Sequence, residues 1–242
     1  MTQSCVVLAG GEGRRVIAAT KGNVPKPMLD VAGIPFIHHK LNSLRSQGFS
    51  EVIVLTGFQA SQLIEYLEDI KIAGLKIRIL SDGPTLLGTG GGIRRHISEL
   101  PEVFWVTYGD SITVSDISAG SPSVIEQDLG IMIVRNNESG HEPGNVALSN
   151  DLRWVTRYEK LQYPNSLPWI DYGLLRLSRT HFSTLPADVF DLSLVLSQLI
   201  NARTLRALIT DKSYFDIGTI DSYNHTCRLA ELSESPEWWL TK

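Results

Sequence analysis

The chain has 242 residues, enough to bury a substantial core and still within the reach of a single α/β domain. Its 22 Lys and Arg against 26 Asp and Glu leave a formal charge of −4, so no basic surplus supports general binding of nucleic acid. Cys5 and Cys227, at opposite ends, make neither a disulfide framework nor a zinc spacing, and no stretch approaches the roughly 18 apolar residues of a membrane span, so a cytoplasmic protein without an export signal is expected.

In chain order, Val6 to Ala9 reads as a buried strand and Phe36 to Gln47 as a helix with Gly48 as its stop. Glu51 to Thr56 is the next strand, and a helix beginning at Ser61 puts Leu63, Ile64 and Leu67 on one face. Lys76 to Leu80 and Val103 to Tyr108 supply two more strands, separated by a glycine run, Gly88 to Gly92, that opens a helix from Ile93 to Ile97. Strand and helix alternating over the first half predict an α/β fold with a mostly parallel sheet flanked by helices. The second half changes character. Leu129 to Val134, Gly144 to Ser149, Trp154 to Tyr158 and Tyr172 to Leu177 are shorter strands joined by turns of Asn, Gly and Pro, which predicts a smaller antiparallel extension. A helix from about Leu192 to Ala202, a strand Leu205 to Ile209 and a last helix Ile220 to Leu232, capped by Thr219 or Asp221, complete the chain. The expected organisation is one domain over 1–242, with one half at about 1–115 and another at about 125–235. Ser111 to Gln127 reads as an excursion, His38-His39 as a partly buried surface pair, Lys71, Lys76 and Arg78 as solvated charges, and Trp238-Trp239 as an anchor for the C-terminus on the body or on a partner subunit.

The most informative stretch is Val6-Val7-Leu8-Ala9-Gly10-Gly11-Glu12-Gly13-Arg14-Arg15, followed by Lys21 and Pro25-Lys26-Pro27-Met28. Three glycines in four positions leave backbone N–H groups uncovered, and the cations behind them complete an anion cradle suited to a nucleoside triphosphate. It is no Walker A loop, because Lys26 lies between prolines and cannot open a helix, and no dinucleotide fingerprint, because Val16 stands where the third glycine would be. Two carboxylates join it. Asp110 follows a strand through Gly109, and Asp216 precedes Ile217-Gly218 after a short apolar strand; two hard oxygen ligands beside a triphosphate would hold Mg²⁺, whereas each alone could simply shape a turn.

Leu8-Ala9-Gly10-Gly11-x-Gly13-x-Arg15, Pro25-Lys26-Pro27-Met28, Leu87-Gly88-Thr89-Gly90-Gly91, Gly109-Asp110, Glu159-Lys160, Asp171-Tyr172-Gly173 and Phe215-Asp216-Ile217-Gly218-Thr219 together resemble the sugar-1-phosphate nucleotidyltransferase family. The likeness is to its short members of the D-glycero-α-D-manno-heptose 1-phosphate guanylyltransferase type. The resemblance implies a Rossmann-like, glycosyltransferase-A-type fold, a Mg²⁺ cofactor, an NTP and a sugar 1-phosphate as partners, and no nucleic acid or membrane, with homo-oligomers left open. It implies catalytic roles for Arg15, Lys26, Asp110 and Asp216, the two aspartates being the metal ligands. Nucleotide contacts fall to Leu8, Ala9, Gly10, Gly11, Gly13, Arg14, Gly88, Thr89 and Gly90, and sugar-phosphate contacts to Glu159, Lys160, Asp171 and Gly173. Two departures lie in the phosphate loop: Arg14 stands where the family has Thr, and the interval from Gly13 to Lys26 is one residue longer. A catalytically silent nucleotide-sugar sensor and a dinucleotide-dependent oxidoreductase are the competing classes, and the second is disfavoured by Val16.

Overall fold

The computed structural model describes residues 3–11, 24–57, 60–114, 129–137, 144–160, 167–185 and 189–240. Its elements in chain order are β1 (Ser4–Leu8), β2 (Asp30–Val31), β3 (Ile34–Pro35), α1 (Phe36–Ser46), β4 (Glu51–Thr56), α2 (Ser61–Asp69), β5 (Lys76–Ser81), α3 (Gly88–Arg95), β6 (Val103–Tyr108), β7 (Ser111–Thr113), β8 (Gly130–Asn136), β9 (Val146–Leu148), β10 (Val155–Tyr158), β11 (Trp169–Ser178), α4 (Ser193–Asn201), β12 (Leu205–Thr210), β13 (Tyr214–Asp216) and α5 (Ile220–Leu232). Among the described residues no helix is long and apolar enough to cross a membrane.

The chain forms two compact, interleaved units, one of residues 1–86, 107–114 and 213–242, the other of 87–106 and 115–212. In the first, β1, β4 and β5 run parallel, with Val6 opposite Ile53 and Ile53 opposite Arg78. Cys5, Val6 and Val7 are wholly buried, as are Val52, Ile53 and Val54, so these strands read as unbroken apolar runs rather than alternating ones. Helix α1 buries Phe36, Ile37, Leu41 and Leu44, and Gly48 at φ +93 lets the chain turn back towards β4. A ribbon of β7 and β13 pairs Ile112 with Phe215, and both enter a cluster with Phe36, Ala230, Trp238 and Trp239. The tryptophans therefore anchor the C-terminal segment on the first unit. His39 is not a surface residue. It is 5% exposed, bonds the Val31 carbonyl through Nε2 and accepts a hydrogen bond from Trp238 Nε1 at 3.1 Å.

In the second unit β8 lies between antiparallel β11 and parallel β12. β9 pairs antiparallel with β10 and with the start of β11. Helix α4 places Leu199 so close to Gly130 that a Cβ there would meet Leu199 Cδ1 at 2.7 Å. Three sequence expectations change. The helix opened by the glycine run takes in the glycines themselves, spanning Gly88–Arg95. Ser111–Thr113 is a strand, not the start of an excursion, while 115–128 fall outside the described residues. The strand expected at Tyr172 to Leu177 extends over Trp169–Ser178, because its first three residues pair with Val134, Arg135 and Asn136.

Candidate active site

In the first unit, the end of β1 and the end of β6 are held edge to edge. Ala9 N–H donates to the Leu55 carbonyl and Gly109 N–H to the Leu8 carbonyl, each at 2.9 Å. A Cβ at position 109 would lie 3.1 Å from Leu8 O and 3.2 Å from Ala9 Cβ, so a larger residue would have to push the two strand ends apart and glycine keeps the approach close. Asp110 is thereby set beside the start of the glycine loop. Gly10 packs backbone to backbone on Gly57, and Gly11 is exposed with open space where a Cβ would stand. Gly13, Arg14 and Arg15 lie outside the described residues.

Pro25 and Pro27 flank Lys26 in a single 3-10 turn, Lys26–Met28, whose ring-fixed backbone presents the lysine from a buried position. Its Nζ is 2.5 Å from Asp110 Oδ2, a charge-assisted contact between a side chain 10% exposed and one 37% exposed. Asp216 ends β13, which is paired to β7 directly after Asp110, and Ile217 N–H donates to the Asp110 carbonyl at 2.9 Å. The Asp216 Oδ1 accepts from Gly218 N–H and from Ser222 Oγ, each at 2.7 Å. Thr219, not Asp216, is the N-cap of α5, accepting from Ser222 N–H. A point 2.8 Å from Asp216 Oδ1, where a Cβ on Gly218 would sit, is also 3.7 Å from Lys26 Nζ. Lys26, Asp110 and Asp216 thus converge. Among the described residues Asp110 Oδ1 and Asp216 Oδ2 accept no hydrogen bond, and no group of three or more His, Cys, Asp or Glu is placed to hold a metal. Two carboxylates with one uncommitted oxygen each fit Mg²⁺, which keeps several water or phosphate oxygens in its shell.

In the second unit Thr89, Lys160 and Asp191 form another cluster. Lys160 Nζ contacts Asp191 Oδ2, which also accepts from Thr89 Oγ1 at 2.9 Å, while Ser193 N–H donates to Oδ1 at 2.9 Å. Burial pushes the Asp191 carboxyl up, but the Lys160 ammonium and the Ser193 and Thr89 donors outweigh it and hold it below the usual carboxylate range. Thr89 Oγ1 in turn accepts from Leu192 N–H at 2.9 Å. Gly88, at φ +73, and Gly90 press on Phe190: a Cβ at 88 would meet the Phe190 carbonyl oxygen at 2.5 Å. This packing demands glycine at 88 without any ligand.

Glu159 pairs with Arg157 at the end of β10. Asp171 Oδ1 accepts from Gly173 N–H at 2.9 Å, and Gly173 holds φ +79. Burial, partly offset by that N–H, pushes the Asp171 carboxyl up to about 6. Burial and the nearby Asp171 and Asp191 raise the Tyr158 phenol above its ordinary value. Sequence reasoning missed Asp191 and Ser222. Both carried a signal: Asp191 stands just before the apolar run of α4, and Ser222 lies three residues after the capping threonine.

A sequence profile of the MobA-like NTP transferase domain matches residues 5–158. The chain is 26% identical over 221 residues to the D-glycero-alpha-D-manno-heptose 1-phosphate guanylyltransferase of Campylobacter jejuni, covering 91% of this chain and 96% of that one. It superposes on HddC from Yersinia pseudotuberculosis with a TM-score of 0.77 at 24% identity, covering 94% and 99% of the two chains. With the inositol-1-phosphate CTP transferase from T. maritima the TM-score is 0.75 at 16% identity, covering 97% and 98%. These likenesses establish the fold, a Rossmann-like α/β architecture of the glycosyltransferase-A type.

Proposed function

The chain belongs to the MobA-like NTP transferase domain family, enzymes that transfer a nucleotidyl group, and from that premise we propose that it joins a nucleoside monophosphate from GTP to a manno-heptose 1-phosphate with Mg²⁺ as cofactor. A phosphate oxygen of the sugar 1-phosphate attacks the α-phosphorus in line. The new P–O bond forms as the bond to the β-phosphate bridging oxygen breaks, and pyrophosphate leaves with the electron pair. The nucleophile is an anion near pH 7, so no general base is needed and catalysis reduces to positioning and charge stabilisation.

The observation that carries this reading is the convergence of Lys26, Asp110 and Asp216 beside the glycine loop. Lys26 stabilises charge on the α-phosphate, and the loop with Gly11, Gly13, Arg14 and Arg15 holds the leaving phosphates. Asp110 and Asp216 would hold the Mg²⁺, which when bound supplies charge neutralisation between nucleophile and electrophile. Leu8, Ala9, Gly10 and the Gly88-Thr89-Gly90 turn serve the base, and Glu159, Lys160, Asp171 and Gly173 serve the sugar phosphate. The free thiols Cys5 and Cys227 suit a reducing cytoplasm.

Pyrophosphate release, with product mass spectrometry over four NTPs and a panel of hexose, heptose, amino-sugar and inositol 1-phosphates, tests the assignment. GDP-heptose as the preferred product is the expected outcome. A uridylyl or cytidylyl product would overturn the base, and NTP binding without turnover would make the protein a sensor. Asp216→Ala should raise the Mg²⁺ concentration needed for half-maximal rate at least tenfold; an unchanged Mg²⁺ dependence would remove Asp216 from the metal site.

A further inference from the structure

Asn145 lies between two of the residues assigned to the sugar phosphate. Its backbone carbonyl accepts from Glu159 N–H at 2.9 Å, its side-chain Oδ1 accepts from Asp171 N–H at 2.8 Å, and its own N–H donates to the Trp169 carbonyl at 2.8 Å. Because the partner of Oδ1 is an obligate donor, the amide can take only one orientation, and the position of Nδ2 is fixed. Among the described residues Nδ2 donates to nothing, although Asn145 is half-buried. A preset donor without a partner is what a binding site holds ready for an incoming acceptor.

We infer that Asn145 is a specificity-determining residue of the sugar subsite, its Nδ2 donating to one hydroxyl of the sugar 1-phosphate. The inference rests on the reading of the chain as a sugar-1-phosphate nucleotidyltransferase and names the group that sorts its sugars. Three backbone and side-chain anchors hold Asn145 in register with Glu159 and Asp171, so its donor keeps a fixed offset from both. A site built to bond a sugar hydroxyl rejects an analogue lacking it far more strongly than an apolar wall rejects a change of size.

Asn145→Asp keeps the shape and the acceptor for Asp171 N–H but removes the donor. In this variant KM for the preferred sugar 1-phosphate should rise at least tenfold while KM for the NTP stays within twofold. The new negative charge alone would weaken every sugar 1-phosphate equally. The deciding measurement is therefore kcat/KM of wild type and variant over singly deoxygenated sugar 1-phosphates. For one deoxy analogue the variant should lose nothing further. Asn145→Ala, measured against the same analogues, carries the test if the aspartate variant does not fold. An equal loss for all analogues, or no loss, would overturn the role of Asn145 and leave the reaction standing. Failure of the unaltered protein to turn over any sugar 1-phosphate would overturn the reaction itself and the inference with it.

Discussion

Lys26 and Asp110 form an ion pair in a setting where such a pair contributes little to folding, since the carboxylate is 37% exposed and screened by water. Its value lies in placement. A carboxylate with one oxygen on Lys26 and the other uncommitted can turn to a cation without losing its orientation. Asp110→Asn keeps the shape and removes the charge. It should lower kcat more than a hundredfold, about 2.7 kcal/mol of barrier, with an unchanged circular dichroism spectrum; more than a tenth of wild-type activity at saturating Mg²⁺ would remove Asp110 from the reaction. At this scale the sequence was legible where chemistry is local. Gly109-Asp110 after a strand, Lys26 between prolines and Gly218 two residues after Asp216 all announce themselves. Asn145 did not, and Asp191 showed only its place before the apolar run of α4, because what marks them is their partners, Thr89 and Lys160 in one case and Asp171 in the other, and those lie 26 to 102 residues away.

Among the elements, the C-terminal 3-10 turn Trp238–Leu240 is joined to α1 by the hydrogen bond from Trp238 to His39 as well as by its apolar packing. Trp238 Nε1–H needs an unprotonated Nδ1 on His39, and Nε2–H faces the Val31 carbonyl, so the native ring is neutral. Burial accordingly lowers the His39 pKa below its ordinary 6.5, with the Val31 bond opposing. The unfolded chain then binds the extra proton first as the pH falls. Stability from this site is fully present above about 6.5 and is lost as the pH drops below it towards the folded value. The melting temperature should therefore fall between pH 7.5 and 5, and the slope should flatten in His39→Gln. An unchanged slope would show that His39 titrates alike in both states. Trp238→Ala should cost about 3–5 kcal/mol at pH 7.5, where the His39 ring is neutral, as removal of a core aromatic does. The glycine run shows the opposite limit of local reasoning. Its glycines read as the opening of a helix that begins at Ile93, yet Gly88–Arg95 is itself helical, with Gly88 and Gly90 packed against Phe190.

For the molecule as a whole, the strands Glu51–Thr56 and Val103–Tyr108 and the helix Ile220–Leu232 were readable to the residue, since long apolar periods and a capping threonine mark them. The interleaving was not. That residues 213–242 return to the unit begun by residues 1–86 depends on Phe215, Trp238 and Trp239 meeting Phe36 and Ile112, contacts no local pattern encodes. The same unit encloses Lys40, which is wholly buried and whose ammonium donates to Thr107 Oγ1 at 2.8 Å. Burial pushes its pKa down to about 8, against the pull of Cys5 and Asp110. A buried cation with one neutral partner is a cost to folding, because its desolvation is not repaid by a contacting anion. Below about 8 both native and unfolded chains keep the proton and that cost is fully present. Between about 8 and the ordinary 10.5 the native lysine gives up its proton while the unfolded chain still binds one, so stability rises with pH across that window and the cost fades. Lys40→Met fills the same volume without charge. It should raise the melting temperature at pH 7 by about 2–4 °C, about 1 kcal/mol for a chain of this size, and its advantage should shrink as the pH climbs from 8 to 10.5. A variant less stable than the wild type at pH 7 would mean that the Thr107 hydrogen bond and the distant Asp110 charge outweigh desolvation, and that Lys40 is a net contributor to the fold.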